Sequence, residues 1–369
     1  MKPTRIVING RFLTQRQSGV QRFARNVVRA LGALVQESAG SRGGLGLTVI
    51  APRGRYRERD MWGIPIHTLG CFRGQAWEQL ELPRVARGAI LLNLGNTGPL
   101  LARHQIVTIF DAATFAYPEA YGFAFRTWYR LLLKSLGRTA DRVLTVSHFS
   151  KSELIQRCGI RADKITVVPP GVEHVLSLQP DYRILDRSEL GEKPFVLSVG
   201  NVEPKKNYRG LLEAFRTLDG AEYTCVIVGG AIPRVFAGGR LPIAGHVKYL
   251  GYVTDAELYA LYQSADCFVF PSFYEGFGLP AVEAMRLGCP TIVSSSASLP
   301  EVCGDGALYC DPHDPRHIAS QIRRVMADPA LREALKVRGI AQASQYTWER
   351  CARQILGELE HVADSRARP

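Results

Sequence analysis

At 369 residues, with 46% apolar and 22% charged side chains, the chain has the composition of a soluble globular protein, which excludes an intrinsically disordered or fibrous one. It is long enough for two domains, since a single core rarely grows past about 250–300 residues. The net charge of +12 calls for an acidic partner: a nucleotide diphosphate, an anionic lipid surface or a nucleic acid.

No apolar run reaches the ~20 residues that a membrane span needs. Residues 1–5 lead into too few apolar positions for a signal-peptide core. The eight cysteines stand singly, with no Cys-x-x-Cys pair, so a cytoplasmic protein with reduced thiols is expected.

The apolar run at residues 5–9 reads as a strand that Gly10 ends. A polar loop, 11–18, leads to Gly19. Phe23, Val27, Ala30, Leu31 and Leu34 then recur at helical spacing, with Arg22, Arg25 and Arg29 turned outward. A strand, a glycine-bearing loop and a helix can take a phosphate, although most such turns bind nothing. Residues 38–46 are rich in Gly and Ser and read as a loop. A strand at 47–51, an Arg-rich loop, a short strand at 64–69 and a helix at 77–85 follow. The next strands are 90–94 and 106–110, the second ending at Asp111. A carboxylate at that end of a parallel strand contacts a ligand or caps the next helix. Asn93 and Asn96 are weaker candidates of the same kind.

Residues 123–136 form a helix rich in aromatics and Leu, with Arg126, Arg130, Lys134 and Arg138 spaced four apart on one face. With Arg142, Lys151, Arg157 and Arg161 they give the N-terminal half a basic surface. Such a surface suits an anionic membrane, at about 1 kcal/mol per cation. No nucleic-acid motif accompanies it, so nucleic acid is not expected as a partner. Residues 142–146 are a strand, Ser147 and Ser150 are capping candidates for the helix at 151–158, and His148 is a secondary site candidate. A strand at 165–168 ends at the breaker Pro169-Pro170-Gly171. The first domain is placed at 1–172, and the polar stretch 173–193 reads as a linker.

The second half opens with a strand at 195–200. Lys205 and Lys206 follow at a strand-to-helix turn, where each can give a phosphate roughly 1.5–3 kcal/mol through a charge-assisted hydrogen bond. A helix at 208–218, strands at 223–228 and 247–250, and a helix at 255–264, capped by Thr254 or Asp255, come next. Then comes the most informative stretch, residues 268–293: a strand, a Pro-Ser-Phe-Tyr turn, Glu275, Gly276-Phe277-Gly278, a helical run from Leu279 to Leu287, and a second strand. The glycines permit close backbone approach to a ligand, and the helix aims its free N–H groups at the same spot. Glu275 can cap that helix or meet a ligand. Glu283, eight residues on, reads on spacing alone as well as a solvated helix position. A strand at 307–310, a helix at 316–326, a helical pair and a frayed end at 363–369 close the chain. Alternating strands and helices mean α/β layers with parallel sheets.

The stretch 268–293 resembles the donor-site segment of retaining glycosyltransferases of family 4. The shared feature is a pair of glutamates, Glu275 and Glu283, with seven residues between them that begin Gly-Phe-Gly. The likeness continues through Ala284-Met285, Gly288-Cys289-Pro290, Ser298-Leu299-Pro300-Glu301-Val302 and Asp311-Pro312. It implies the GT-B fold, two Rossmann-like doubly wound domains facing across a cleft. The donor domain would span 194–347, and a last helix at about 348–369 would return to the first domain.

The resemblance also implies roles. Glu275 would contact the donor sugar hydroxyls and Glu283 the nucleotide ribose. Lys206, with Lys205, would meet the diphosphate, and the loop at Gly19 would face it. Backbone near Tyr252 and Val253 would read the base, and Gly276, Phe277, Gly278 and Leu279 would line the donor. Asp111 would orient an acceptor hydroxyl, completing a catalytic set with Glu275 and Lys206. Two positions depart from the pattern: Phe110 where many members have His, and Asn201 where many have Arg.

The expected reaction is transfer of a hexose, mannose from GDP-mannose being favoured over a UDP-glucose-type donor. The acceptor would be a hydroxyl of a glycan or lipid-linked oligosaccharide in cell-surface polysaccharide synthesis. The expected setting is the cytoplasm, at the inner face of the membrane. The two departures keep open a protein that binds nucleotide sugar without turnover. No Asp-x-Asp or His-Glu-x-x-His motif occurs, so neither a metal nor another cofactor is expected. Lysines and the helix N-terminus would stabilise the leaving diphosphate, which in the family's front-face route takes the acceptor proton.

Overall fold

The computed structural model describes residues 4–37, 45–54, 60–191, 193–218, 223–230 and 247–367. Most of the expected loop at 38–46 and of the Arg-rich loop before Asp60 lies outside the described residues. The chain forms two compact units, Met1–Gly171 with Tyr346–Pro369, and Val172–Gln345.

In the first unit the strands are β1 Thr4–Asn9, β2 Leu45–Pro52, β3 Asp60–Met61, β4 Ile64–Leu69, β5 Ile90–Asn93, β6 Gln105–Thr108, β7 Arg142–Thr145 and β8 Ile165–Val167. Their order across the sheet is β3-β4-β2-β1-β5-β6-β7-β8. Every pairing is parallel except β3 with β4. Ile6, Val7 and Ile8 of β1 and Ile90, Leu91 and Leu92 of β5 are fully buried. Such continuous apolar runs are what a parallel sheet covered on both faces requires. The chain builds outward from β1 to β2 and β4, then returns to the other side of β1 to make β5, with Ile6 opposite Ile90. Open sheets bind ligands at the carboxyl ends of the strands beside such a reversal. The terminal helix Trp348–Ala367 packs on the helix Gly19–Glu37. Phe23 meets the rings of Trp348 at 5.9 Å and Phe110 at 5.0 Å, both edge-on.

The second unit repeats the plan with β9 Phe195–Val199, β10 Thr224–Val228, β11 Val247–Gly251, β12 Cys267–Phe270, β13 Thr291–Ser294 and β14 Leu308–Cys310. The order is β11-β10-β9-β12-β13-β14, all parallel, so here the reversal falls between β9 and β12. Val196, Leu211, Phe215, Ile227, Val269 and Ile322 belong to its core. All eight cysteines are free, and seven are buried. Burial pushes the Cys303 thiol up to about 12, so it packs as a small hydrophobe.

Several expectations change. Residues 77–85 hold two short helices, Gly74–Leu80 and Leu82–Val85, because Pro83 starts a helix but cannot continue one. The stretch read as a linker carries a 3-10 turn, Glu173–Leu176, and a helix, Arg183–Arg187, and belongs to the second unit. The last helix persists to Ala367 rather than fraying from 363.

The basic row of the Phe123–Thr139 helix is only in part a free face. Arg126 donates to Pro118 O at 3.2 Å and Arg130 to Thr114 O at 2.9 Å, while Arg130 and Lys134 lie over the Phe115 ring. Lys134 and Arg138 stay exposed, and the large apolar side chains exposed on this helix are Phe123 at 75%, Leu131 at 59%, Phe125 at 45% and Trp128 at 38%. The positive charge is nonetheless segregated. Lys and Arg outnumber Asp and Glu by 29 to 14 in the first unit, against 17 to 20 in the second.

The loop expected at 11–18 begins as a 3-10 turn, Gly10–Thr14, with Arg11 buried. Arg11 Nε lies 3.2 Å from Glu78 Oε1, and its Nη2 donates to Thr97 Oγ1 at 2.6 Å. Asn9 Nδ2 donates to Glu78 Oε1 at 2.7 Å and to Asn93 Oδ1 at 2.9 Å. Burial pushes the Glu78 carboxyl up, while Arg11 and the hydrogen bonds from Asn9 and Thr97 pull it down. This network ties the ends of β1 and β5 together. Arg11→Ala would strand a buried carboxylate and should cost about 3–5 kcal/mol, seen as a lower urea midpoint. Adding Glu78→Leu to Arg11→Ala should recover most of that loss.

Candidate active site

In the second unit the loops after β9 and β12 emerge side by side at the strand-order reversal. After β9 the chain passes Gly200 and Asn201 into a 3-10 turn, Pro204–Lys206, then the helix Tyr208–Thr217. After β12 it runs through Glu275 and Gly278 into the helix Leu279–Arg286. Asn207, which adopts a positive φ of 56°, joins these loops. Its Nδ2 donates to Pro271 O at 3.1 Å and to Pro312 O at 2.6 Å, and its Oδ1 accepts from Gly210 N at 3.2 Å. One buried amide thus caps its own helix and clamps the segments following β12 and β14. Asn tolerates the left-handed backbone better than most residues.

Across this junction Lys206 Nζ donates to Glu275 Oε1 at 2.6 Å and lies 4.9 Å from the Phe270 ring centroid. Both side chains are close to nine-tenths buried. Phe273 N donates to Lys205 O at 2.8 Å, and Ser298 Oγ to Glu275 O at 2.9 Å, so backbone contacts hold both ends of the pair. Lys205 Nζ lies 3.4 Å from Glu203 Oε2. Residues Glu275, Gly276, Phe277 and Gly278 are buried, and Leu279 is half-buried. Gly278 has φ of +88°, and a Cβ there would stand 2.5 Å from Leu299 Cδ2.

Glu283 is not a solvated helix position. It is 3% exposed, with Oε1 3.0 Å from His174 Nε2 and Oε2 accepting from the Tyr262 hydroxyl at 3.4 Å. The carboxyl ends of β10 and β11 reach the same rim. A Cβ on Gly229 would lie 1.8 Å from Gly200 O, and one on Gly230 would lie 2.9 Å from the Tyr252 ring and 3.1 Å from Asn201 Oδ1. Tyr252 is half exposed there, and Val253 is half-buried.

The structure thus brings Lys205, Lys206, Glu275 and the Gly276–Leu279 run together, with Tyr252 on the rim of the same strand ends. Asp111 and Gly19 belong to the first unit. Asp111 Oδ1 accepts from Ala113 N at 2.9 Å, as a cap would. Gly19 opens its helix with empty space where a Cβ would be. Sequence reasoning missed Asn207, His174 and Ser298. An Asn directly before a helical run is a cap signal, which could have found the first. Among the described residues no group of three His, Cys, Asp or Glu is placed to hold a metal ion. No described helix is long and apolar enough to cross a membrane.

Comparison with known proteins finds relatives by family model, by sequence and by fold. The family model for glycosyl transferases group 1 covers residues 184–342, and that for glycosyltransferase family 4 covers residues 97–175. The O-antigen chain mannosyltransferase B of Escherichia coli is 36% identical over 279 residues, 70% of this chain and 70% of that protein. The serotype-specific mannosyltransferase WbdA of Escherichia coli is 30% identical over 261 residues, 65% of this chain but 31% of that longer protein. Among solved structures, Anabaena HepE in complex with UDP-glucose superposes with a TM-score of 0.74 at 18% identity, covering 97% of this chain and 99% of that one. The chain belongs to the group 1 glycosyltransferases of family 4 and has the GT-B fold.

Gly278→Ala should combine the cost of a left-handed alanine, about 1–2 kcal/mol, with displacement of Leu299. The expected readout is a lower urea midpoint, with Gly19→Ala, which meets open space, close to wild type.

Proposed function

We propose that the chain transfers a mannosyl residue from GDP-mannose, with retention of configuration and without a metal, to a hydroxyl of a glycan or lipid-linked acceptor in cell-surface polysaccharide synthesis. The observation that carries this reading is the buried Lys206–Glu275 pair at the β9/β12 reversal, in a chain 36% identical to an O-antigen mannosyltransferase. Lys206 would exchange Glu275 for the donor diphosphate and stabilise it as it leaves. Glu275, released, would accept hydrogen bonds from the sugar hydroxyls. Preorganised charge of this kind is usually the largest single contribution to catalysis. Lys205 and backbone N–H groups near Gly276–Leu279 would add to the phosphate contacts, Tyr252 and Val253 would flank the base, and Glu283 would take the ribose. Gly19 and Asp111 would serve diphosphate and acceptor from the first unit. A UDP-glucose-type donor is the second reading, favoured by the solved complex of HepE.

Nucleotide release is measured with GDP-mannose and with UDP-glucose, each with EDTA and with lipid-linked acceptors supplied. GDP release from GDP-mannose that EDTA leaves intact, reduced about 10²–10³-fold in Lys206→Ala and Glu275→Ala, is the expected result. Donor binding with no release from either sugar nucleotide would move the protein to the non-catalytic reading.

The same proposal places the first unit against an anionic membrane. Its excess of cations and the exposed Phe123, Trp128 and Leu131 support this contact, with the aromatic ring systems entering the interface. Replacing these three by Ser should abolish co-sedimentation with phosphatidylglycerol vesicles while nucleotide release with a soluble acceptor persists.

A further inference from the structure

The first unit has a second end. Ala89 and His104 immediately precede β5 and β6, whereas Asn93 ends β5 and Asp111 follows β6, and each strand of four residues separates its two ends by about 13 Å. At the strand-start end lies a cavity of about 830 Å³. Arg84 and Arg87 reach it from the segment before β5, Arg103 from the segment before β6, and Arg366 from the last helix. Among the described residues no Asp or Glu lines it. All four arginines are exposed, and among the described residues none of their guanidinium groups makes a hydrogen bond or ion pair. His104 also lines the cavity, and its Nδ1, 3.7 Å from Asp141 Oδ1, makes no hydrogen bond.

Some exposed arginines elsewhere are paired, while others, among them Arg53, Arg73 and Arg324, stand singly, without a side-chain partner among the described residues. Arg161 meets Asp163 at 2.7 Å, Arg183 meets Asp181 at 2.6 Å and Arg353 meets Glu349 at 2.7 Å. Four unpaired guanidinium groups from three separate segments around one concavity form a different arrangement, because each repels the others until an anion is present. Planar guanidinium groups match phosphate oxygens two bonds at a time. Leu80 and Leu101, 48% and 79% exposed, line the same cavity and offer an apolar wall beside the charge.

We infer that this cavity is a second anion site, which takes a phosphate-bearing ligand through Arg84, Arg87, Arg103 and Arg366, apart from the nucleotide-sugar residues. The inference does not depend on the donor or the reaction proposed above. The phosphate can come free or on a lipid, and two soluble probes separate these sources: inorganic pyrophosphate, and dihexanoyl phosphatidylglycerol below its micelle concentration.

Binding is measured by calorimetry in a Lys206→Ala background, so that phosphate capture by the loop after β9 is suppressed. The expected result is saturable binding of one or both probes, weakened at least tenfold by Arg84→Glu with Arg103→Glu. An equal change of net charge on the second unit, Arg323→Glu with Arg324→Glu, should leave it unaltered. Pyrophosphate alone would identify a free anion, and the lipid bound more tightly would identify a headgroup with its tail against Leu80 and Leu101. Equal weakening by both charge reversals would reduce the effect to bulk charge and overturn the site. So would the absence of saturable binding of either probe. The substituted arginines are exposed, so the same arginine changes made in a chain that keeps Lys206 should retain the wild-type unfolding midpoint and the wild-type rate of nucleotide release.

Discussion

A parallel sheet that begins in its middle must leave a gap where its two growth directions part. Everything chemical in the second unit follows from that constraint. β9 is laid down first, β10 and β11 extend one edge, and the chain then returns to start β12 on the other side. The segments leaving β9 and β12 therefore diverge, with no crossover helix between them. Lys206 and Glu275, 69 residues apart in sequence, meet in that gap at 2.6 Å. Asn207 keeps it from widening, because one side-chain amide bonds to carbonyls on two other loops. The ion pair itself is weak evidence of stability, since burying two charges can cost as much as their attraction returns. A pair that exchanges partners with a ligand fits such an arrangement better than a structural brace.

Much of this was readable beforehand, and the reasons are local. Strands buried on both faces announce themselves as short apolar runs, as at Ile6–Ile8 and Phe268–Phe270. Thr254 and Glu257 form a capping box three residues apart, a signal contained within one turn of chain. Gly278 needs a left-handed backbone, which only its residue type had to reveal. The resemblance built on Glu275 and Glu283 led to the right family and fold for the same reason, since its signature is one uninterrupted stretch.

What was not readable depends on distant partners. The environment of Glu283 is set by His174, 109 positions away, on a stretch that looked like linker. Arg11 looked like a polar loop residue because Glu78 lies 67 positions on, and only the fold buries them together. Arg126 and Arg130 kept their helical spacing but turned to carbonyls and a ring on the preceding segment. Spacing shows which residues share a face and leaves open what that face meets.

The last helix has a consequence for the order in which the protein is made. Trp348–Ala367 covers the helix Gly19–Glu37 of the first unit, yet it is synthesised only after the whole of the second unit. The second unit, Val172–Gln345, is contiguous and can close its core as soon as its own residues have left the ribosome. The first unit is begun before the second and completed after it. Until residue 348 emerges, Phe23 lacks its Trp348 neighbour and one apolar surface of the N-terminal sheet's helical cover stays wet. A nascent chain of this protein thus keeps an apolar surface open on its first unit while the second unit folds, and a holding chaperone would find its binding surface on the helix Gly19–Glu37 rather than near the ribosome.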